Sequence, residues 1–168
     1  MPSRQTHLKI HLFLSPLMFV TMPLLLQLSI KETLFWGLGL WASEHMLSPD
    51  LDLAHSKASQ AWGPLQFLWK PYAKLFRHRG VSHTFVLGAL TRILYLGMIG
   101  ICCIAPFWLQ WHNAAFSQNF FPLKWWGTCY LWFGLGVTCG NAVHIGADHF
   151  LSYSKKWRKE LGRRWGWL

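Results

Sequence analysis

Residues 12–30 read LFLSPLMFVTMPLLLQLSI, nineteen residues without a charged side chain. A helix needs about 20 predominantly apolar residues to cross the hydrocarbon core of a bilayer. β-branched residues do not alternate along this run, so we expect a helix rather than a barrel strand. Pro16 and Pro23 predict a kink, which a membrane bundle can accommodate. The run ends without a small-residue cleavage site, and we therefore expect a retained helix instead of a cleaved signal peptide.

Three further apolar runs follow, at 34–47, 84–111 and 126–151. The first of these is short, so whether it crosses fully stays open. Only 13% of the chain is charged and 52% is hydrophobic, whereas about a quarter of a soluble domain is charged. Such hydrophobicity also excludes a disordered chain. We therefore predict an all-α integral membrane bundle of about four transmembrane helices, forming a single membrane-embedded domain over residues 1–168.

The basic residues predict how the bundle is oriented. The chain has 16 Lys and Arg against 6 Asp and Glu, a net charge of +10. If the N-terminus is cytoplasmic and all four runs cross, thirteen basic residues lie inside and only Lys31 and Lys124 outside. Cytoplasmic loops carry such an excess of Lys and Arg. We therefore expect both termini in the cytoplasm of a bacterial inner (plasma) or thylakoid membrane.

Two segments outside the runs combine aromatic and basic side chains. The middle loop, 54–77, mixes tryptophans with lysines, a pattern typical of the lipid headgroup level. The tail, 152–168, predicts a basic amphipathic helix on anionic lipid headgroups, with one face formed by Trp157, Leu161 and Trp165. A solvated basic tail is the alternative, and nucleic acid is not expected as a partner beside four membrane runs. The lipid bilayer is the expected partner, with a C2 homodimer as the default oligomer.

Histidine and aspartate side chains cluster at the ends of the apolar runs. In the predicted topology all these ends face the cytoplasm. Because the positions of lysine and arginine alone defined that topology, the clustering of histidine and aspartate on one side supports it independently. Seven side chains could therefore converge at one depth: His7, Asp50, Asp52, His78, His83, His144 and Asp148. Ionisable groups at membrane depth are costly and usually functional. Imidazole with carboxylate suits a divalent metal ion such as zinc, manganese or iron.

Each of these motifs also has an ordinary structural explanation. The PDLD sequence at 49–52 could end a helix, HRGVSH at 78–83 could be a basic loop, and the i, i+4 pair of His144 and Asp148 could be hydrogen-bonded in the bundle. Together they favour a metal site. Glu44 and His45 could support the ligands. The histidines expected at interfaces or in solvent are His11, His45, His55, His112 and His149.

Two arginines near these motifs could bind a substrate phosphate. Arg79 lies within HRGVSH, and Arg92 lies inside the third apolar run. A guanidinium group binds phosphate through paired hydrogen bonds. Arg92 has the alternative of pairing with an acidic residue inside the membrane.

The order of the motifs resembles that of a bacterial "metal-binding protein" family of unknown function that is common in cyanobacteria. The matching blocks are MPSxxTH at 1–7, LSPDLDL at 47–53, WGPL at 62–65, WxPY at 69–72, HRGxSH at 78–83 and HxxxD at 144–148. The chain is more distantly similar to the inner-membrane metal-dependent hydrolases controlled by the LexA repressor. The resemblance implies a multi-helix membrane protein and metal roles for the seven residues above, although the family's usual acid or threonine is missing after His7.

These observations predict a metal-dependent hydrolase that acts on a lipid or phosphoester near the cytoplasmic headgroups. The metal would activate water, and Arg79 could steady an anion. The alternative is a non-catalytic metal-binding, sensing or assembly factor, because seven ligands could fill one ion completely. Transport is disfavoured, since the ionisable groups cluster at one face instead of marking a path across the membrane.

Overall fold

A computed structural model describes the backbone of residues 4–53, 55–76, 80–111 and 123–165, and the side chains of 9–53, 55–76, 80–105, 126–161 and 163. These residues form helices and no strand, which confirms the all-α prediction. The helices are α1 (Arg4–Leu26), α2 (Ile30–His45), α3 (Lys57–Gln60), α4 (Trp69–Leu75), α5 (Leu87–Trp111) and α6 (Leu123–Trp165). Short 3-10 helices cover Pro49–Asp52, Gly63–Leu68 and Val81–His83.

Among the described residues, two segments are long and apolar enough to cross a membrane, Lys9–Leu26 and Leu87–Ala105. The predicted second run falls largely in α2, which has only 16 residues. The fourth run and the tail as far as Trp165 form one continuous helix, because α6 has 43 residues and no break at residue 151. At 1.5 Å per residue α6 extends about 65 Å, roughly twice the thickness of a hydrocarbon core. The count of four crossings therefore stays a prediction, and the tail is an extension of α6 rather than a separate helix.

Helices α2 and α6 pack at close range through small residues. A Cβ atom on Gly39 would lie 2.2 Å from the carbonyl oxygen of Phe133, and one on Gly140 would lie 2.6 Å from Cβ of Ser43. Both helices thus place small residues four positions apart, Gly39 with Ser43 and Gly136 with Gly140. Such spacing lets two helix backbones approach closely. The contact aligns the C-terminal end of α2 with the middle of α6.

We expect Gly136→Ala to destabilise the protein, because its new Cβ would lie 2.2 Å from the carbonyl oxygen of Trp36. Overpacking of this kind costs about 1–3 kcal/mol. The matched control is Gly146→Ala on the same helix, where a Cβ meets nothing within 4 Å. Thermal unfolding in detergent should show a lower midpoint for the first variant and no loss for the second. Equal midpoints for both variants would contradict this packing.

The middle segment packs against the bundle as a cap. Trp69 and Tyr72 are fully buried, and the Tyr72 hydroxyl lies 3.0 Å from that of Thr91 on α5. The indole nitrogen of Trp62 donates to the carbonyl oxygen of Met46 at 2.8 Å. The prediction that the segment lies at the headgroup level stays a prediction, and the structure adds that Trp69 and Tyr72 form part of the core. Burial raises the pKa of Tyr72 above its ordinary value.

Candidate metal centre

Asp50 and Asp52 lie in the 3-10 helix that follows α2. Pro49 is the first residue of this helix, and its fixed φ and missing N–H group prevent α2 from continuing through it. The amide of Leu53 donates to the carbonyl oxygen of Asp50 at 3.1 Å, which keeps the turn tight. In this turn the two carboxylates contact different atoms of one imidazole ring.

That imidazole belongs to His83, which lies between the two aspartates. Its Nε2 atom is 3.7 Å from Oδ1 of Asp50, and its Nδ1 atom is 3.5 Å from Oδ2 of Asp52. The Ser82 hydroxyl donates to the same Oδ2 atom of Asp52 at 2.5 Å. The Asp52 side chain is completely buried, whereas that of Asp50 is 36% exposed. Asp52 therefore faces the protein interior, and Asp50 faces the opening of the cluster.

Gly88 at the start of α5 fixes the turn that carries His83. A Cβ atom at Gly88 would lie 2.2 Å from the carbonyl oxygen of Ser82, so the turn and the helix are in backbone contact. The amide of Gly88 donates to the hydroxyl of Thr84 at 3.0 Å. These contacts hold His83 at the N-terminal end of α5.

Helix α6 adds His144 and Asp148, which lie one turn apart on the same face. The Nε2 atom of His144 is 4.0 Å from Oδ2 of Asp50 and 4.0 Å from Oδ2 of Asp148. The two oxygens of Asp50 therefore approach two different histidines. Metal bonds of about 2.0–2.2 Å allow two ligands of one ion to lie up to about 4 Å apart, so each of these contacts, taken as a pair, fits a shared ion.

The structure thus brings together five predicted ligands: Asp50, Asp52, His83, His144 and Asp148. His78 and Arg79 lie outside the described residues, as does the side chain of His7. Four of the chain's six carboxylates lie in or beside this region: Glu44, Asp50, Asp52 and Asp148. Concentrating acidic groups at one place in a chain of net charge +10 favours a cation there.

Arg92 is fully buried, and each of its guanidinium nitrogens donates to a group of the protein. Nε donates to the carbonyl oxygen of Gly88 at 2.7 Å, one terminal nitrogen donates to that of Leu47, and the other donates to Oδ1 of Asn141 at 2.8 Å. The side-chain nitrogen Nδ2 of Asn141 in turn donates to the backbone carbonyl oxygens of Thr84 and Phe85. The side chain thus joins the end of α2, the start of α5 and the middle of α6, which are the three segments that carry the candidate ligands.

Two residues that the sequence analysis did not rank as ligands lie beside this cluster. Nε2 of His11 is 2.8 Å from Oε2 of Glu44, and with His144 these side chains offer ligand atoms that all lie within 4.8 Å of one another. The expectation that His11 lies at an interface or in solvent was wrong, because it is buried. One sequence signal points to it: His11 follows His7 by one helical turn and so shares its face of α1.

A profile of the family described as "Uncharacterized metal-binding protein (DUF2227)" matches residues 2–158. An uncharacterized protein of Aquifex aeolicus (strain VF5) is 48% identical over 61 residues, which are 36% of this chain and 43% of that protein. The chain therefore covers less than half of that relative's length. No solved structure matches the chain.

Proposed function

The chain belongs to this family of metal-binding proteins, and from that premise we propose that it is a membrane-embedded, metal-dependent hydrolase. Its substrate is a lipid or a lipid-linked phosphoester at the cytoplasmic headgroup level. The cofactor is a divalent ion, zinc, manganese or iron. The similarity to the LexA-regulated hydrolases agrees with this proposal and stays a prediction.

We assign the ion to two imidazoles and two carboxylates, a donor set that suits these metals. The ligand atoms would be Nε2 of His83, Nε2 of His144 and oxygens of Asp50 and Asp148. When bound, the ion would polarise a substrate oxygen and make water a better nucleophile. Asp52, buried and 3.5 Å from Nδ1 of His83, would orient that ring, as carboxylates behind metal-bound histidines commonly do. Of the remaining candidates, His7 and His78 could complete the set, and Arg79 could bind the substrate phosphate.

The exposure of Asp50 is the observation that carries the hydrolase proposal. Its side chain is 36% exposed, and that of Asp148 is 21% exposed. A structural metal site is closed by protein ligands, whereas a catalytic site keeps a position open for water or substrate. Ligands that face outward leave such a position. This favours hydrolysis over a sensing or assembly role.

An apolar groove between α5 and α6 supports a lipid as substrate. The groove has a volume of about 520 Å³, and its lining includes Leu47, Ile93, Gly97, Gly100, Tyr130 and Phe133. Leu47 lies three residues before Asp50 in the sequence, which links the groove to the segment that carries the proposed metal ligands.

The lengths of the helices agree with a site at the membrane surface. His144 follows Leu123 by 21 residues, about 30 Å along α6, which matches the hydrocarbon thickness. Large apolar side chains of α1 also face outward, including Leu12, Phe13, Leu24 and Leu25. We propose lipid as the surroundings of these side chains, with both termini cytoplasmic and the basic end of α6 near anionic headgroups.

We expect Asp52→Asn to weaken metal binding by about 10–100-fold without abolishing it, since changes behind the ligands have effects of this size. Competition with a metal-sensitive dye measures the affinity. The control is His149→Asn, an exposed histidine of α6 that directly follows Asp148. Unchanged affinity would remove the orienting role, and complete loss of metal would make Asp52 a direct ligand.

Hydrolysis is tested with purified protein in nanodiscs, loaded with zinc, manganese or iron and supplied with a panel of lipid phosphoesters. We expect metal-dependent release of product, reduced at least 100-fold by Asp50→Asn and unchanged by His149→Asn. If the loaded protein hydrolyses no member of the panel faster than Asp50→Asn, the hydrolase proposal fails. A metal-loaded but inactive protein would support the non-catalytic alternative.

A further inference from the structure

His11, Glu44 and His144 come from three different helices. They meet beside the cluster formed by Asp50, Asp52, His83, His144 and Asp148, which we call the first cluster. We propose that they form a second cation site, with His144 shared between the two clusters. Two imidazoles and one carboxylate are the ligand set of many catalytic zinc sites, in which water takes the fourth position. The site goes beyond the proposed function, because it uses His11 of α1 and Glu44 of α2, which are not ligands of the ion proposed at Asp50.

The position of His11 on α1 is the first argument. Among the described side chains of this helix, residues 9–26, His11 is the one that is buried, while leucine and phenylalanine side chains face outward. An ionisable residue within a membrane helix faces the interior of the bundle and usually marks a functional site. The side chains of His11 and Glu44 are only 4% and 10% exposed. Two ionisable groups have therefore been taken out of solvent together, which is costly without compensation.

The closeness of the two groups is the second argument. Nε2 of His11 and Oε2 of Glu44 lie 2.8 Å apart, and both atoms are buried. Two ligands of one metal ion approach each other in this way, and a cation would bind both buried atoms at once.

The shared histidine is the third argument. The ring centroids of His11 and His144 are 6.4 Å apart, and the ligand atoms of His11, Glu44 and His144 all lie within 4.8 Å of one another. His144 also lies 4.0 Å from Asp50 of the first cluster. Two cation sites would thus be neighbours, each bound by a different ring nitrogen of His144, because one imidazole nitrogen binds only one ion.

The test counts the zinc bound by detergent-purified full-length protein, loaded with Zn²⁺, desalted and measured by elemental analysis. The variants are Glu44→Gln, His11→Asn and Asp50→Asn, with His149→Asn as the control. We expect about two zinc ions per chain in the parent and control, and about one in each variant. Cobalt loading provides a second readout, because removing one site changes the visible absorption of the bound Co²⁺. Thermal unfolding shows whether each variant is folded, and Glu44→Gln keeps the shape of the side chain.

The outcomes separate the two sites. One zinc in the parent that survives Glu44→Gln but not Asp50→Asn overturns the second site and leaves the first. One zinc that survives Asp50→Asn but not Glu44→Gln supports the second site and overturns the first. No zinc in the parent overturns both, and His11 with Glu44 is then an ion pair between helices.

Discussion

Replacing His144 with alanine is expected to remove metal from both clusters, the largest effect that we predict for a single substitution. Its Nε2 atom lies 4.0 Å from both Asp50 and Asp148, and the side chain also belongs to the group with His11 and Glu44. Losing a ligand from each of two sites should weaken zinc binding at each by at least 100-fold. Titration with Zn²⁺ against a competing chelator measures both affinities.

The control for this prediction is His149→Ala, an exposed histidine on the same helix. A second variant, His144→Gln, retains a polar side chain of similar length. It distinguishes the loss of a metal ligand from a packing defect at this buried position. Both His144 variants should remain folded and lose metal. Full zinc binding by folded His144→Ala would contradict the assignment of this residue to either cluster.

Replacing Arg92 with methionine is expected to destabilise the protein by several kcal/mol. The side chain is fully buried and donates to the carbonyl oxygens of Leu47 and Gly88 and to the amide oxygen of Asn141. Each buried acceptor left without a donor costs about 1–3 kcal/mol. Thermal unfolding in detergent, followed by tryptophan fluorescence, should show a much lower midpoint. The unfolding midpoint of Arg92→Lys should lie between those of the parent and Arg92→Met, because one ammonium group cannot replace three divergent donors.

Arg158→Met is the matched control, since Arg158 is exposed on α6, and we expect it to unfold like the parent protein. A parental midpoint for Arg92→Met would contradict the joining role of this side chain. A variant that folds normally but loses turnover would instead support the phosphate-binding role that the sequence suggested for Arg92.

The helical architecture could be predicted from the sequence because the apolar runs are long and lack strand periodicity. The end of the fourth run could not, since the drop in hydrophobicity after residue 151 is not accompanied by a change of backbone conformation. No proline or glycine interrupts 147–161, so the backbone continues as α6 into the basic tail. Composition therefore did not predict where this helix ends.

The middle segment shows a second limit of sequence patterns. Tryptophan and tyrosine mixed with lysine are typical of the headgroup level, but the same residues can cap a bundle. Trp69 and Tyr72 pack with Tyr95 of α5 at ring-centroid distances of 5.7 and 5.3 Å. The sequence pattern does not show this long-range contact, and the position of the segment at the headgroup level stays a prediction.

The candidate site was predictable where its residues form compact motifs. Asp50, Asp52 and His83 lie in short blocks at the ends of apolar runs, and topology alone predicted that these blocks meet. His11 and Glu44 stand singly in apolar helices 33 residues apart, so no local pattern links them. Their pairing depends on how α1, α2 and α6 pack, which small residues such as Gly39 and Gly136 allow.

The most direct test of the metal site at Asp50 compares the metal content of the parent protein with that of an Asp50→Asn, His83→Ala double variant. Both are purified in detergent without chelator and measured by elemental analysis, with His149→Asn alongside. We predict that the double variant contains one ion fewer per chain than the parent and the control. Equal metal content in folded parent and double variant, or no metal in either, would contradict a metal site at Asp50 and His83.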